Sequence, residues 1–160
     1  MKKIVAVLLS MLLLCTALCA CTPKEKTFSY AGFTITLDSS FRLADDTRFT
    51  TTLTSKEMAV FALREDFSQQ MNADTLTTHD YAYLVLRNNH VEKLEIHDED
   101  GLTWFERDYE DNGKNLHYYT FCYKAGTVTF WMVQFACQHE DAETLRDTIF
   151  AAAKTIVVEP

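Results

Sequence analysis

Residues 115–138 read NLHYYTFCYKAGTVTFWMVQFACQ, two runs rich in aromatic and β-branched residues separated by Ala125-Gly126. Such runs suit a pleated surface, and a glycine between them supplies the left-handed backbone that a tight hairpin needs. A two-residue loop there pairs Lys124 with Thr127, which sets Cys122 opposite Thr129 and Cys137 opposite Lys114. Working outward, Asn112-Gly113 joins residues 115–124 to 102–109, and Asp100-Gly101 joins that run to 91–97. The pattern predicts a four-stranded antiparallel meander. Upstream, Ala31-Gly32 separates 27–30 from 33–37, and 49–54 with 58–65 reads as a further strand pair.

Two segments leave the period of two. Tyr81, Leu84, Val85 and Asn88 recur at helical spacing behind Thr77 and Asp80, an acidic variant of the capping box. Over 141–154, Ala142, Leu145, Ile149 and Ala152 share one face, with acids at the start and Lys154 at the end as the helix dipole prefers. The fold class is therefore α+β: an antiparallel sheet of hairpins and a meander, packed with two helices. No repeat or change of composition interrupts residues 27–160, and about 134 residues suit a single core. The meander register sorts side chains by face. One face holds Leu94, Ile96, Phe105, Leu116, Tyr118, Trp131, Val133 and Phe135, a core face covered most simply by the two helices. The other is mixed, with Trp104, Tyr119, Phe121, Phe130 and Met132 beside Glu106, Asp108, His117 and Gln134. Its aromatic end requires a cover, from the chain or from a ligand.

This order of elements resembles the PsbP and Mog-type α/β/α sandwich. The resemblance rests on the opening Phe28-Ser29-Tyr30-Ala31-Gly32-Phe33-Thr34-Ile35, the helix around residues 80–84, and the aromatic strand 127–135 before the last helix. It implies an accessory subunit, a nucleotide-exchange helper or a lipoprotein of unassigned role, and mostly not an enzyme.

The N-terminus carries its own information. Met1 and two lysines precede an apolar stretch, Ile4 to Ala20, without a charge, and then Cys21. This is the layout of a signal sequence. Ordinary signal peptidase needs a small residue three before the cut, and Leu18 is too large. Leu18-Cys19-Ala20-Cys21 instead resembles the bacterial lipobox, with Cys19 where Ala, Ser or Thr is commoner. By that resemblance residues 1–20 are removed, Cys21 is lipidated and anchors the chain to the outer side of the cell membrane, and residues 21–26 form a tether. The alternative is an uncleaved transmembrane anchor, for which the stretch is short against the need for about 20 apolar residues. The whole chain has a formal charge of minus 8; after cleavage 13 basic residues face 23 acidic ones, a charge of minus 10. Such a body has no basic face for nucleic acid and is repelled by anionic lipid within a Debye length of about 8 Å.

Few residues point to chemistry. Cys122 and Cys137 read as free buried thiols, because the predicted register separates them by eight residues, or about 26 Å, against the 7 Å limit for a disulfide. The five histidines form no HExxH or other compact ligand pair, and no Cys-x-x-Cys is present. Calcium loops placed on Gly101 or Gly113 would end on Arg107 or Tyr119 instead of Glu. No Gly-rich phosphate loop or Gly-x-Ser-x-Gly elbow occurs. The sequence thus predicts no metal and no cofactor. One constellation stands out: Asp108 opposite His117, Gln134 opposite His117 on the next strand, and Glu106, Tyr119 and Trp104 along the same face. Two readings follow. In the first, the chain is a lipid-anchored binding or accessory module with that face toward a protein or small-molecule partner; in the second, it is a small surface enzyme with Asp108 and His117 as acid/base pair.

Overall fold

The computed structural model describes residues 24–91, 93–111 and 113–160. In chain order the elements are β1 (Glu25–Tyr30), β2 (Phe33–Asp38), β3 (Arg42–Ala44), β4 (Thr51–Thr54), β5 (Met58–Asp66), α1 (Thr78–Asn88), β6 (His97–Glu99), β7 (Leu102–Asp111), β8 (Lys114–Ala125), β9 (Thr129–Gln138), α2 (Ala142–Ala153) and β10 (Val157–Val158). They form a seven-stranded sheet ordered β3-β4-β5-β9-β8-β7-β6 and a three-stranded sheet ordered β1-β2-β10. The α+β class, the hairpins and the antiparallel meander are those read from the sequence. Among the described residues no helix is long and apolar enough to cross a membrane. Cys21 and the lipobox lie outside the described residues, and Glu25 and Lys26, assigned to the tether, are already strand.

The meander turns decide what each face carries. At Asp100-Gly101 the two-residue loop holds, with φ of 54° and 77° and Glu99 paired with Leu102. Asp111 pairs with Lys114 as expected, so Asp108 lies opposite His117. At Ala125-Gly126 the expectation fails: Ala125 pairs with Thr129, and residues 126–128 form a three-residue loop. The reason is tertiary. The carbonyl of Val128 accepts from Phe67 N at 2.9 Å, which extends the β5–β9 ladder, and Gly126 turns at φ 66°. The pairing is displaced by three positions, an odd number, so every β9 side chain changes face.

Two cores result, one on each side of the large sheet. Trp104, Tyr119, Phe121, Trp131, Val133 and Phe135 pack against Phe33, Ile35 and Leu37 of the small sheet and Ile149 of α2. On the other side Phe105, Cys122, Phe130 and Met132 pack against Tyr81, Val85 and Leu86 of α1. The helices therefore cover opposite faces, not one shared face. Each fully buried large side chain contributes about 1.5–3 kcal/mol, and Trp131, Phe121, Phe130 and Phe135 are all fully buried. The Thr77/Asp80 capping box is present in both directions. Tyr81 stacks on Phe130 with centroids 5.0 Å apart and donates a hydrogen bond to Glu65.

Three elements depart from the expected pattern. Among the described residues of the run 91–97 only His97, the first residue of β6, is strand; Val91, Leu94 and Ile96 instead pack against the side of the α1 core. β3 and β10 have no sequence signature, because two or three residues cannot establish a period. β10 is fixed by its surroundings: it pairs with β2, Glu159 N donates to Gly32 O, and Trp131 Nε1 donates to Glu159 O.

Candidate functional site

Three side chains meet at the edge of the sheet where β7 and β8 approach the end of β9. β7 supplies Asp108, β8 supplies His117, and His139 comes from the 3-10 turn His139–Asp141 that links β9 to α2. Asp108 Oδ1 lies 2.8 Å from His117 Nδ1 and 2.6 Å from His139 Nδ1. One carboxylate oxygen thus faces the same nitrogen of two imidazoles. Asp108 and His139 are half exposed, at 52% and 51%, whereas the His117 side chain is only 12% exposed. His117 packs edge-on against Tyr119, and its Nε2 is buried without a hydrogen-bond partner, 3.5 Å from Glu106 Oε2. Arg146 of α2 holds that Glu106 oxygen at 3.2 Å while its guanidinium lies over the rings of Trp104 and Phe150. Burial works to raise the Asp108 carboxyl, but the hydrogen bonds and charge of His117 and His139 outweigh it and hold the group below the usual carboxylate range.

The remaining predicted residues separate into two groups. Trp104 and Tyr119 do share the face of Glu106, Asp108 and His117, but they are 3% and 2% exposed under α2. The aromatic end of that face is interior, and the chain itself is its cover. Gln134 lies on the opposite face, where its amide donates to Thr120 Oγ1, because β9 is displaced by three positions. The same displacement puts Cys137 opposite His117. Both cysteines are free; Cys122 pairs with Met132 five residues away from Cys137 along β9, about 17 Å at strand rise. Burial pushes the Cys137 thiol up to about 11.

Sequence reasoning missed His139. With β9 in its observed register, residues 137 and 139 share the face of His117, so a three-residue loop would have pointed to it. A second histidine–carboxylate contact joins α1 to β6: His79 Nδ1 lies 2.6 Å from Asp98 Oδ2, and Thr103 donates to Asp98 Oδ1 at 2.7 Å. The grooves lined by Tyr83, Leu86 and Ile96, about 370 Å³, and by Leu43, Asp46 and Phe49, about 440 Å³, share no residue with the Asp108 cluster.

No family model matches the sequence, and no curated protein matches it. Among solved structures, the chain is similar to the cyanobacterial PsbP protein CyanoP from Synechocystis sp., at TM-score 0.53 and 12% identity over 88% of this chain and 95% of that one. A protein of Bacteroides thetaiotaomicron matches at TM-score 0.53 and 10% identity, over 84% of this chain and 48% of that one. LpqN of Mycobacterium tuberculosis, a protein involved in cell envelope biogenesis, matches at TM-score 0.50 and 13% identity, over 86% of this chain and 91% of that one. Likeness at such identities shows the fold, which is PsbP-like, and leaves function to the residues.

Proposed function

We propose that the chain is a lipid-anchored, non-enzymatic accessory or binding module on the extracytoplasmic face of a bacterial cell membrane, held there through Cys21 and engaging a protein or small-molecule partner. The observation that carries this reading is Leu18-Cys19-Ala20-Cys21 set only four residues before the first strand at Glu25. A span of at most about 3.6 Å per residue gives the anchor a reach of about 14 Å. The folded body then stays within about 14 Å of its anchor, close enough to address a membrane-bound partner. A single acyl chain holds a protein marginally, and the two of a diacylglyceryl cysteine hold it stably.

The enzyme reading loses support from the site itself. Asp108 is shared between two imidazoles instead of orienting one, and the thiol opposite His117 is protonated at neutral pH. The test is cell fractionation of the wild type and Cys21→Ala. The wild type is expected in the membrane fraction and in the detergent phase, with the variant displaced from both; equal distribution of the two proteins contradicts the anchor.

A further inference from the structure

His117, His139 and Asp108 offer three ligand atoms within 4.8 Å of one another. The two closest separations, 2.6 and 2.8 Å, are those of hydrogen bonds; ligands about 2.0–2.1 Å from a tetrahedral ion stand about 3.3 Å apart. The tetrahedral geometry opens the two Asp108 contacts by about 0.5–0.7 Å and brings all three ligand atoms, which already lie within 4.8 Å of one another, to about that one spacing. The cluster's members are suited to that change. His117 is fixed by burial and by Tyr119, while Asp108 and His139 are half exposed at the rim.

The surroundings supply a second argument. Nε2 of His117 is a buried nitrogen with no hydrogen-bond partner, and the nearest carboxylate is Glu106 at 3.5 Å. A cation on Nδ1 leaves the ring proton on Nε2, where it points at Glu106, and Arg146 holds that carboxylate from the other side. Histidine ligands of metals are ordinarily oriented by such an outer carboxylate. A cation on Nδ1 thus gives the orphan nitrogen a proton to share with that carboxylate. The acidic body adds a field that draws cations.

We infer that Asp108, His117 and His139 form a binding site for one divalent transition-metal ion of the zinc and copper class, with Asp108 Oδ1 and the Nδ1 atoms of both imidazoles as ligands. Two imidazoles and a carboxylate select such ions over calcium and magnesium, which take oxygen ligands. Three protein ligands leave a coordination position open to water or to a donor from a partner. On binding, each neutral imidazole moves its proton from Nδ1 to Nε2, and a protonated one releases a proton. The inference needs only the folded domain and stands apart from the lipid anchor. It replaces the sequence expectation of no metal, which considered ligand spacing along the chain and not the approach of His139.

The test is equilibrium dialysis of the full chain, solubilised in detergent, against Zn²⁺ alone and against Zn²⁺ with excess Mg²⁺. One Zn²⁺ per chain beyond that bound by the double variant Asp108→Asn/His139→Ala is expected, unaffected by Mg²⁺. Loss of the outer carboxylate in Glu106→Gln is expected to weaken binding by about 10–100-fold, and His79→Ala to change nothing. In the wild type, imidazole ¹⁵N spectra are expected to report metal on Nδ1 and a proton on Nε2 of His117. Zn²⁺ uptake equal in wild type and double variant overturns the site, as does an unshifted His117 spectrum under saturating Zn²⁺.

Discussion

Asp98 and Asp108 each meet a histidine Nδ1 at 2.6 Å, and the two contacts differ in everything around them. Asp98 accepts from the buried Thr103 on its other oxygen, Thr103 also meets Thr78 at the start of α1, and His79 adds one imidazole. Both oxygens are committed, and the cluster fastens α1 to β6 and β7. Asp108 instead presents one oxygen to two imidazoles, with a carboxylate behind one of them. The pairing of residue types is the same; what differs is how many ligand atoms converge. A histidine beside an aspartate is a fastener when each partner is satisfied pairwise, and it is a chelate when the nitrogens point at one place.

The sharpest contrast comes from stability in the presence of metal. At Zn²⁺ about 100-fold above its dissociation constant, the wild type and Asp98→Asn should both gain about 2.7 kcal/mol, whereas Asp108→Asn should gain none; thermal unfolding with and without Zn²⁺ measures this. A gain in Asp108→Asn equal to that of the wild type would erase the distinction.

Without metal the order reverses. Thr103→Val keeps the shape of a buried side chain but removes the hydroxyl shared by Asp98 and Thr78, and should cost about 1–3 kcal/mol in urea unfolding. Asp108→Asn, at a half-exposed rim, should cost less than about 1 kcal/mol. Equal losses would make the Asp108 cluster a second fastener.

The smallest effect concerns acid. Asp98 is held below the ordinary carboxylate range chiefly by Thr103 and then His79, and Asp108 by His117 and His139 against burial. The unfolded chain therefore takes up these protons first as pH falls. The stability they contribute is complete above the ordinary carboxylate value of about 3.9 and is lost below it. Replacing either aspartate by asparagine should flatten the acid limb of a stability-against-pH curve; an unchanged limb in both variants would contradict the assignment.

Much of the fold was legible because local chemistry and tertiary structure agreed. Asp100-Gly101 forms the loop that residue preference predicts, Asp111 and Lys114 pair as expected, and the capping box at Thr77 and Asp80 placed α1. The Asp108–His117 contact followed from those turns alone. Ala125-Gly126 was not legible to the same depth, since Val128 is withdrawn from the turn by Phe67, a residue some sixty positions upstream along the chain. That one loop carried Gln134 to the wrong face and hid His139. Trp104 and Tyr119 were placed on the correct face, but their burial under α2 depends on how the last helix returns, which no periodicity specifies.

The proposed role depends on the chain being displayed outside the membrane by its cysteine. Intact-mass analysis of the protein extracted from membranes tests that most directly. The expected result is a mature chain beginning at Cys21 with a diacylglyceryl mass on its sulfur. A chain that retains residues 1–20, or one that begins at an unmodified residue other than Cys21, would contradict it.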